Sequence, residues 1–136
     1  MVDRPQAQRD ALAFFKIITG EIEQAEAFYT AAFGMARTNQ MDGPGFCEIM
    51  LATPGSGFTL VLFQWKDGRT LEHGSRHGPI GFVTQDFDAS LAQALEHGAT
   101  LDRGPFDFPG ARIAFLKSPE GHEIELMWRG KAEIAA

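Results

Sequence analysis

Ile18-Thr19-Gly20-Glu21-Ile22-Glu23 and Val83-Thr84-Gln85-Asp86-Phe87-Asp88 share one pattern: apolar, Thr, any residue, acid, apolar, acid. They stand 65 positions apart, and at that offset Leu51-Ala52-Thr53-Pro54 falls on Leu116-Lys117-Ser118-Pro119. Two blocks that keep one offset point to a duplicated unit of about 55 to 60 residues. Two copies are too few for a solenoid, which needs at least three. The chain reads as two halves sharing one core.

Outward from these blocks, each copy has the same order of elements. An apolar run opens it, Leu12 to Ile18 and then Ile80 to Val83, short and rich in Phe, Ile and Val as strands are. Thr19 and Thr84 follow, placed to cap helices whose first turns carry Glu21 and Glu23, or Asp86 and Asp88. Acids there suit the positive end of a helix dipole. Ile22, Ala25 and the Phe28-Tyr29 pair recur at helical spacing, as do Phe87, Leu91 and Leu95. Gly34 and Gly98 stop the two helices.

Three strand-like pieces come after each helix. In the first half they are roughly Ala36–Met41, Phe46–Leu51 and Phe58–Gln64; in the second, Thr100–Arg103, Arg112–Leu116 and Glu123–Trp128. Gly- and Pro-bearing turns separate them, among them Pro54-Gly55-Ser56-Gly57, Gly104-Pro105 and Pro119-Glu120-Gly121. The expected fold is α+β, two tandem βαβββ units over about 11–66 and 79–129, within one domain spanning 1–136. Residues of about 67–78 (DGRTLEHGSRHG) form a polar, glycine-bearing linker, and the tail beyond Trp128 is a frayed surface segment.

Composition narrows the function. With 18 acidic and 12 basic residues the formal charge is −6, and there is no basic run. Such a chain gains no counterion-release energy, so nucleic acid and anionic membranes are excluded as partners. No apolar run approaches the roughly 20 residues of a membrane span, and the polar start MVDRPQAQRD lacks the apolar core of a signal peptide. The lone Cys47 excludes an internal disulfide and reads as a small core residue. A cytoplasmic globular protein is expected. Twelve Phe stand against a single Tyr. They serve a small core, or line a cleft for a flat or greasy ligand.

Several stretches resemble the vicinal oxygen chelate superfamily, which groups glyoxalase I, extradiol dioxygenases, and fosfomycin- and bleomycin-resistance proteins. Ala27-Phe28-Tyr29 with Phe33-Gly34-Met35 is similar to that family's A-F-Y-x-x-x-x-G-M. Ser118-Pro119-Glu120-Gly121-His122-Glu123-Ile124-Glu125-Leu126 resembles its closing D-P-D-G-N-x-I-E-L, and Phe82 to Ala89 is family-like too. The resemblance implies that each unit curls its sheet into half a cup and that the pair forms a mixed sheet around a cleft. It also implies a homodimer, made either by swapping halves or side by side.

Metal-dependent members of that superfamily place His and Glu ligands on the first and last strands of each unit. Carried over, those positions fall on Phe14, Val61, Pro79 and Glu125. Phe, Val and Pro offer no side-chain donor, and one carboxylate does not hold a catalytic divalent ion against water. The expectation is therefore no metal and no cofactor. The weighed alternative is an improvised site of His77 with Glu125, joined by His122 or Glu123. The family's glutathione enzymes carry an Arg where this chain has Ile18, which counts against a glutathione adduct.

Strand alternation then assigns the cleft: Phe14, Lys16, Val61, Phe63, Pro79 and Met127, with Trp65 and Trp128 as rim aromatics. Glu125 is either an inherited position paired with Lys16, or a general base and acceptor. Lys16 either snorkels or holds a ligand oxyanion. Glu48 and Arg112, on matching strands, read as an exposed pair. The leading expectation is a metal-free small-molecule-binding protein with an aromatic, mildly acidic cleft, as the bleomycin-resistance proteins imply. The competing one is a glyoxalase-like lyase or dioxygenase, with a displaced metal site or Glu125 as base.

Overall fold

Apolar alternation decides which face of each strand is buried, and in the computed structural model, which describes residues 9–130, that alternation builds two four-stranded sheets. The first unit comprises β1 (Phe14–Ile18), α1 (Ile22–Phe33), β2 (Ala36–Asp42), β3 (Phe46–Ala52) and β4 (Thr59–Trp65). The second comprises β5 (Ile80–Thr84), α2 (Phe87–Glu96), β6 (Thr100–Phe108), β7 (Ala111–Lys117) and β8 (Glu123–Arg129). Strand order is β1-β4-β3-β2 and β5-β8-β7-β6. In each unit the first strand pairs parallel with the last and the remaining pairs are antiparallel. The fold is α+β with two tandem βαβββ units, each an open, curled sheet.

A single apolar core joins the units. Ile17, Ile49, Leu60 and Leu62 face it from the first sheet, and Ala114, Leu116, Ile124 and Leu126 from the second. Between the sheets, Phe33 of α1 stacks on Phe82 of β5 with ring centres 3.9 Å apart and planes 5° from parallel. Gln93 on α2 donates to the Ala31 carbonyl at 2.6 Å. The helices therefore meet in the middle, and each sheet turns its other face away from the shared core.

Local chemistry moved three boundaries. Thr19 and Thr84 do not cap the helices. Asp86 is the N-cap of α2 and accepts the Ala89 N–H at 3.2 Å, while Thr84 accepts the Asp86 N–H at 3.0 Å. In α1 the N-cap is Glu21, whose side chain makes no capping bond; its N–H donates to the Thr19 hydroxyl at 3.0 Å. β6 does not end at Arg103 but runs to Phe108 through Gly104-Pro105, with register shifts of the β-bulge kind. Gly104 has φ +94, and a Cβ there would come 3.0 Å from the Ile113 carbonyl oxygen, so only glycine fits that bend. Leu12 lies ahead of β1 and is 88% exposed. The tail from residue 131 onward lies outside the described residues.

Candidate functional site

In β1 and β4 the residues on the side away from the shared core form one face, Phe14, Lys16 and Ile18 beside Val61, Phe63 and Trp65, with Val61 and Phe63 buried at its centre. Glu48 of β3 joins them, directly opposite Phe63 in register. Lys16 Nζ lies 2.5 Å from Glu48 Oε2 and 5.0 Å from the centre of the Phe63 ring. Phe46 stacks on Phe63 at 5.1 Å, and Trp65 meets it edge-on at 4.7 Å. Lys16 is thus paired with Glu48 and not with Glu125. Nor do Glu48 and Arg112 form an exposed pair: Glu48 is buried, and Arg112 binds Asp107 at 2.7 Å.

The open face of the second sheet carries Glu125 between Gly81 and Phe115, and Met127 between Val83 and Ile113. Arg103 lies 4.2 Å over the Phe115 ring and 3.5 Å from Glu123. Glu125 has no hydrogen-bond or ion-pair partner among the described residues. Nothing lies within 4 Å of a notional Cβ on the neighbouring Gly81, so space stands open beside the carboxylate. Trp128 stands on the other side of this sheet, level with Thr84 and Arg112. Alternation along β8 already separates it from Glu125 and Met127.

A groove of about 670 Å³ runs along β1 beneath the linker. It brings Lys16, Ile18 and Trp65 of the first open face to Lys117 and Glu123 of the second; Phe14, Val61, Phe63, Glu125 and Met127 do not line it. Pro79 lines a separate groove of about 520 Å³ with Phe15, Phe58 and His77. His77 packs edge-on against Phe15 at 5.9 Å. Among the described residues no group of three His, Cys, Asp or Glu side chains is placed to hold a metal ion, and His77 and Glu125 belong to no such group.

His122 has a different task. Its Nε2 bonds the Ile18 carbonyl at 2.9 Å, tying the β7–β8 turn to the end of β1, and its Nδ1 lies 3.9 Å from Glu120. Burial holds its pKa below the usual 6.5, against the opposing pull of the Ile18 carbonyl and Glu120. A depressed histidine pKa adds stability above the unfolded-state value, and that stability is lost as pH falls. His122→Gln, which keeps an amide donor, is expected to flatten the loss of stability between about pH 7 and about pH 5. Urea unfolding at the two pH values checks this; equal slopes in both proteins would remove His122 as the titrating group.

The family model described as Glyoxalase/Bleomycin resistance protein/Dioxygenase superfamily matches residues 11–126. The chain belongs to this superfamily. The lactoylglutathione lyase GLX1 of Arabidopsis thaliana is 26% identical over 131 residues, covering 90% of this chain and 46% of that protein. The chain thus spans about half the length of this plant relative. The Haemophilus influenzae lactoylglutathione lyase is 23% identical, with 79% of this chain and 84% of that protein covered. Among solved structures, the glyoxalase I of Leishmania major has a TM-score of 0.76 at 22% identity, covering 93% of this chain and 90% of that one. TnmS3, an antibiotic binding protein from Streptomyces sp. CB03234, has a TM-score of 0.72 at 28% identity, covering 89% and 97%.

These relatives correct the expectation of no cofactor, because glyoxalase I enzymes are metal-dependent members of the superfamily. The residues here do not match that requirement. Of the four positions where ligands are expected, Phe14 and Val61 present hydrocarbon, Pro79 presents none of the needed donors, and Glu125 alone offers oxygen. No helix of the described residues is long and apolar enough to cross a membrane.

Proposed function

We propose that the chain binds a flat, aromatic, cationic small molecule between the open face of its first sheet and the open face of the second sheet in another copy. The observation that carries this is the ring cluster of Phe46, Phe63 and Trp65, in which Phe63 and Val61 are buried while Trp65 and Phe14 stand exposed at its edge, Phe14 by 57%. The charges on that face, Lys16 and Glu48, neutralise each other. On the second face Glu125 is the carboxylate without a partner among the described residues, set beside the space over Gly81. Stacking on aromatic rings with one counter-charge is how a protein holds such a ligand. The likeness to an antibiotic binding protein supports this.

Two copies are needed because each chain turns its open faces away from one core and so offers two half-clefts. Val83 on the second open face is 51% exposed and Phe106 43%, apolar area that a partner subunit covers. The test is calorimetric titration of the purified chain with 9-aminoacridine, with anthracene-9-carboxylate as the anion of similar shape. Saturable binding of the cation is expected, weakened about tenfold by Phe63→Ala and by Glu125→Gln. Equal binding of both probes, or variants that bind as the parent does, would overturn it.

The curated relatives favour a second reading, a lyase in which Glu125 moves a proton as general base. It predicts turnover in a lactoylglutathione assay that disappears in Glu125→Gln. Ile18, apolar where the family's glutathione enzymes carry Arg, weighs against it.

A further inference from the structure

A cavity of about 210 Å³ lies away from both open faces, between the first turns of α1 and the turn joining β7 to β8. Inside it is a buried group with nothing to bind: the Tyr29 hydroxyl, on a residue 1% exposed, has no hydrogen-bond partner among the described residues. Ser118 lines the same cavity beside Tyr29, and its hydroxyl accepts the His122 N–H at 3.0 Å while keeping a donor of its own. Unpaired hydroxyls are rare in protein interiors, because such a group loses its hydrogen bonds to water and gains none in return.

The charge of the cavity says what fits. Glu21 and Glu120 line it, and no Lys or Arg does. The start of α1 offers little to an anion. The Gly20 N–H donates to Glu120 at 2.6 Å, the Glu21 N–H to Thr19, and the Ile22 N–H to Gln64 at 2.9 Å. His122 spends its Nε2 on Ile18, which leaves its Nδ1 facing Glu120. Carboxylates, a ring nitrogen and the rings of Phe28 and Tyr29 together suit a group that donates hydrogen bonds and carries positive charge. By volume the cavity equals about seven waters, the scale of a single-ring ligand.

We propose that this cavity is a second small-molecule site, for a compact organic ammonium ion held by Glu21, the Tyr29 hydroxyl and the Phe28 ring. It uses none of the residues of the cleft proposed above, so the two fail separately. The experiment is an NMR titration of the labelled full chain with benzylammonium, benzyl alcohol and phenylacetate. Benzylammonium is expected to move the signals of Tyr29, Ser118 and His122 saturably, with benzyl alcohol about tenfold weaker and phenylacetate without effect. Glu21→Gln, which touches an exposed carboxylate free of structural bonds, weakens the binding about threefold. Tyr29→Phe weakens it about fivefold while 9-aminoacridine binds as before. The proposal is overturned if ammonium and alcohol bind alike, or if only open-face signals near Phe63 or Glu125 move. It is equally overturned if Tyr29→Phe leaves benzylammonium binding unchanged, which would assign the hydroxyl to an ordered water.

Discussion

Leu126→Ala lowers the stability of the chain by about 3 to 4 kcal/mol, a fall in melting temperature of roughly 10 to 15 °C. Leu126 is fully buried at the centre of β8, opposite Phe82 on one side and Ala114 on the other. Ala114 is itself fully buried and too short to swing into the space left behind. Phe82 is held by its stack on Phe33, so relaxation would loosen the contact between the two units. The cost is therefore expected toward the upper part of the range for such truncations, in which poor relaxation leaves the larger cavity. Urea unfolding should show a lower midpoint at an unchanged slope. A loss below about 1 kcal/mol would mean that the two sheets do not share one core.

Lys16→Met costs about 2 to 3 kcal/mol, though it adds apolar area. The substitution leaves Glu48, buried among Phe63, Phe46 and Trp65, as a charge without its partner, and breaking a buried pair from one side is expensive. Lys16 itself is 39% exposed, which keeps the figure below that for a fully buried pair. Removing both charges has the opposite sign. Lys16→Met with Glu48→Leu should recover the parental stability or exceed it, since an apolar pair pays no desolvation. Thermal unfolding of the two singles and the double gives the coupling directly. If the effects simply add, Lys16 and Glu48 are not a unit.

Much of the architecture was legible because it is periodic. The offset between Ile18 and Val83 places two units, and Gly34, at φ +70 with its N–H on the Thr30 carbonyl, ends α1 as its position implies. Alternation in β1 and β4 put Phe14, Lys16, Val61 and Phe63 on one face. The same rule separates Trp128 from Met127, its immediate neighbour, so a rim argument was the wrong tool there. What alternation does not contain is which strands become neighbours. Glu48 reaches Lys16 only because β4 lies between β3 and β1 and places Phe63 beneath both side chains. The bend at Gly104 reads as a turn because a Gly-Pro pair usually is one; the β-bulge that absorbs it sets the chain close against the Ile113 carbonyl of β7, a neighbour the sequence does not name. The Tyr29 cavity had no linear signal, since its two walls lie some 90 residues apart in the sequence.

The two helices begin under different conditions. α2 carries its own start, with Asp86 and Thr84 satisfying neighbouring N–H groups, and it can nucleate as soon as that short segment exists. α1 borrows: Gln64 takes its Ile22 N–H, and Glu120 takes the Gly20 N–H from a hundred residues away. On a ribosome, which makes the chain from its amino end, the first turn of the earlier helix waits for Gln64 at the end of β4, and the Thr19-Gly20 approach to it waits for Glu120 in the β7–β8 turn. The last turn to be made thus fastens the entry to the first helix, joining the two ends of the synthesis in one contact.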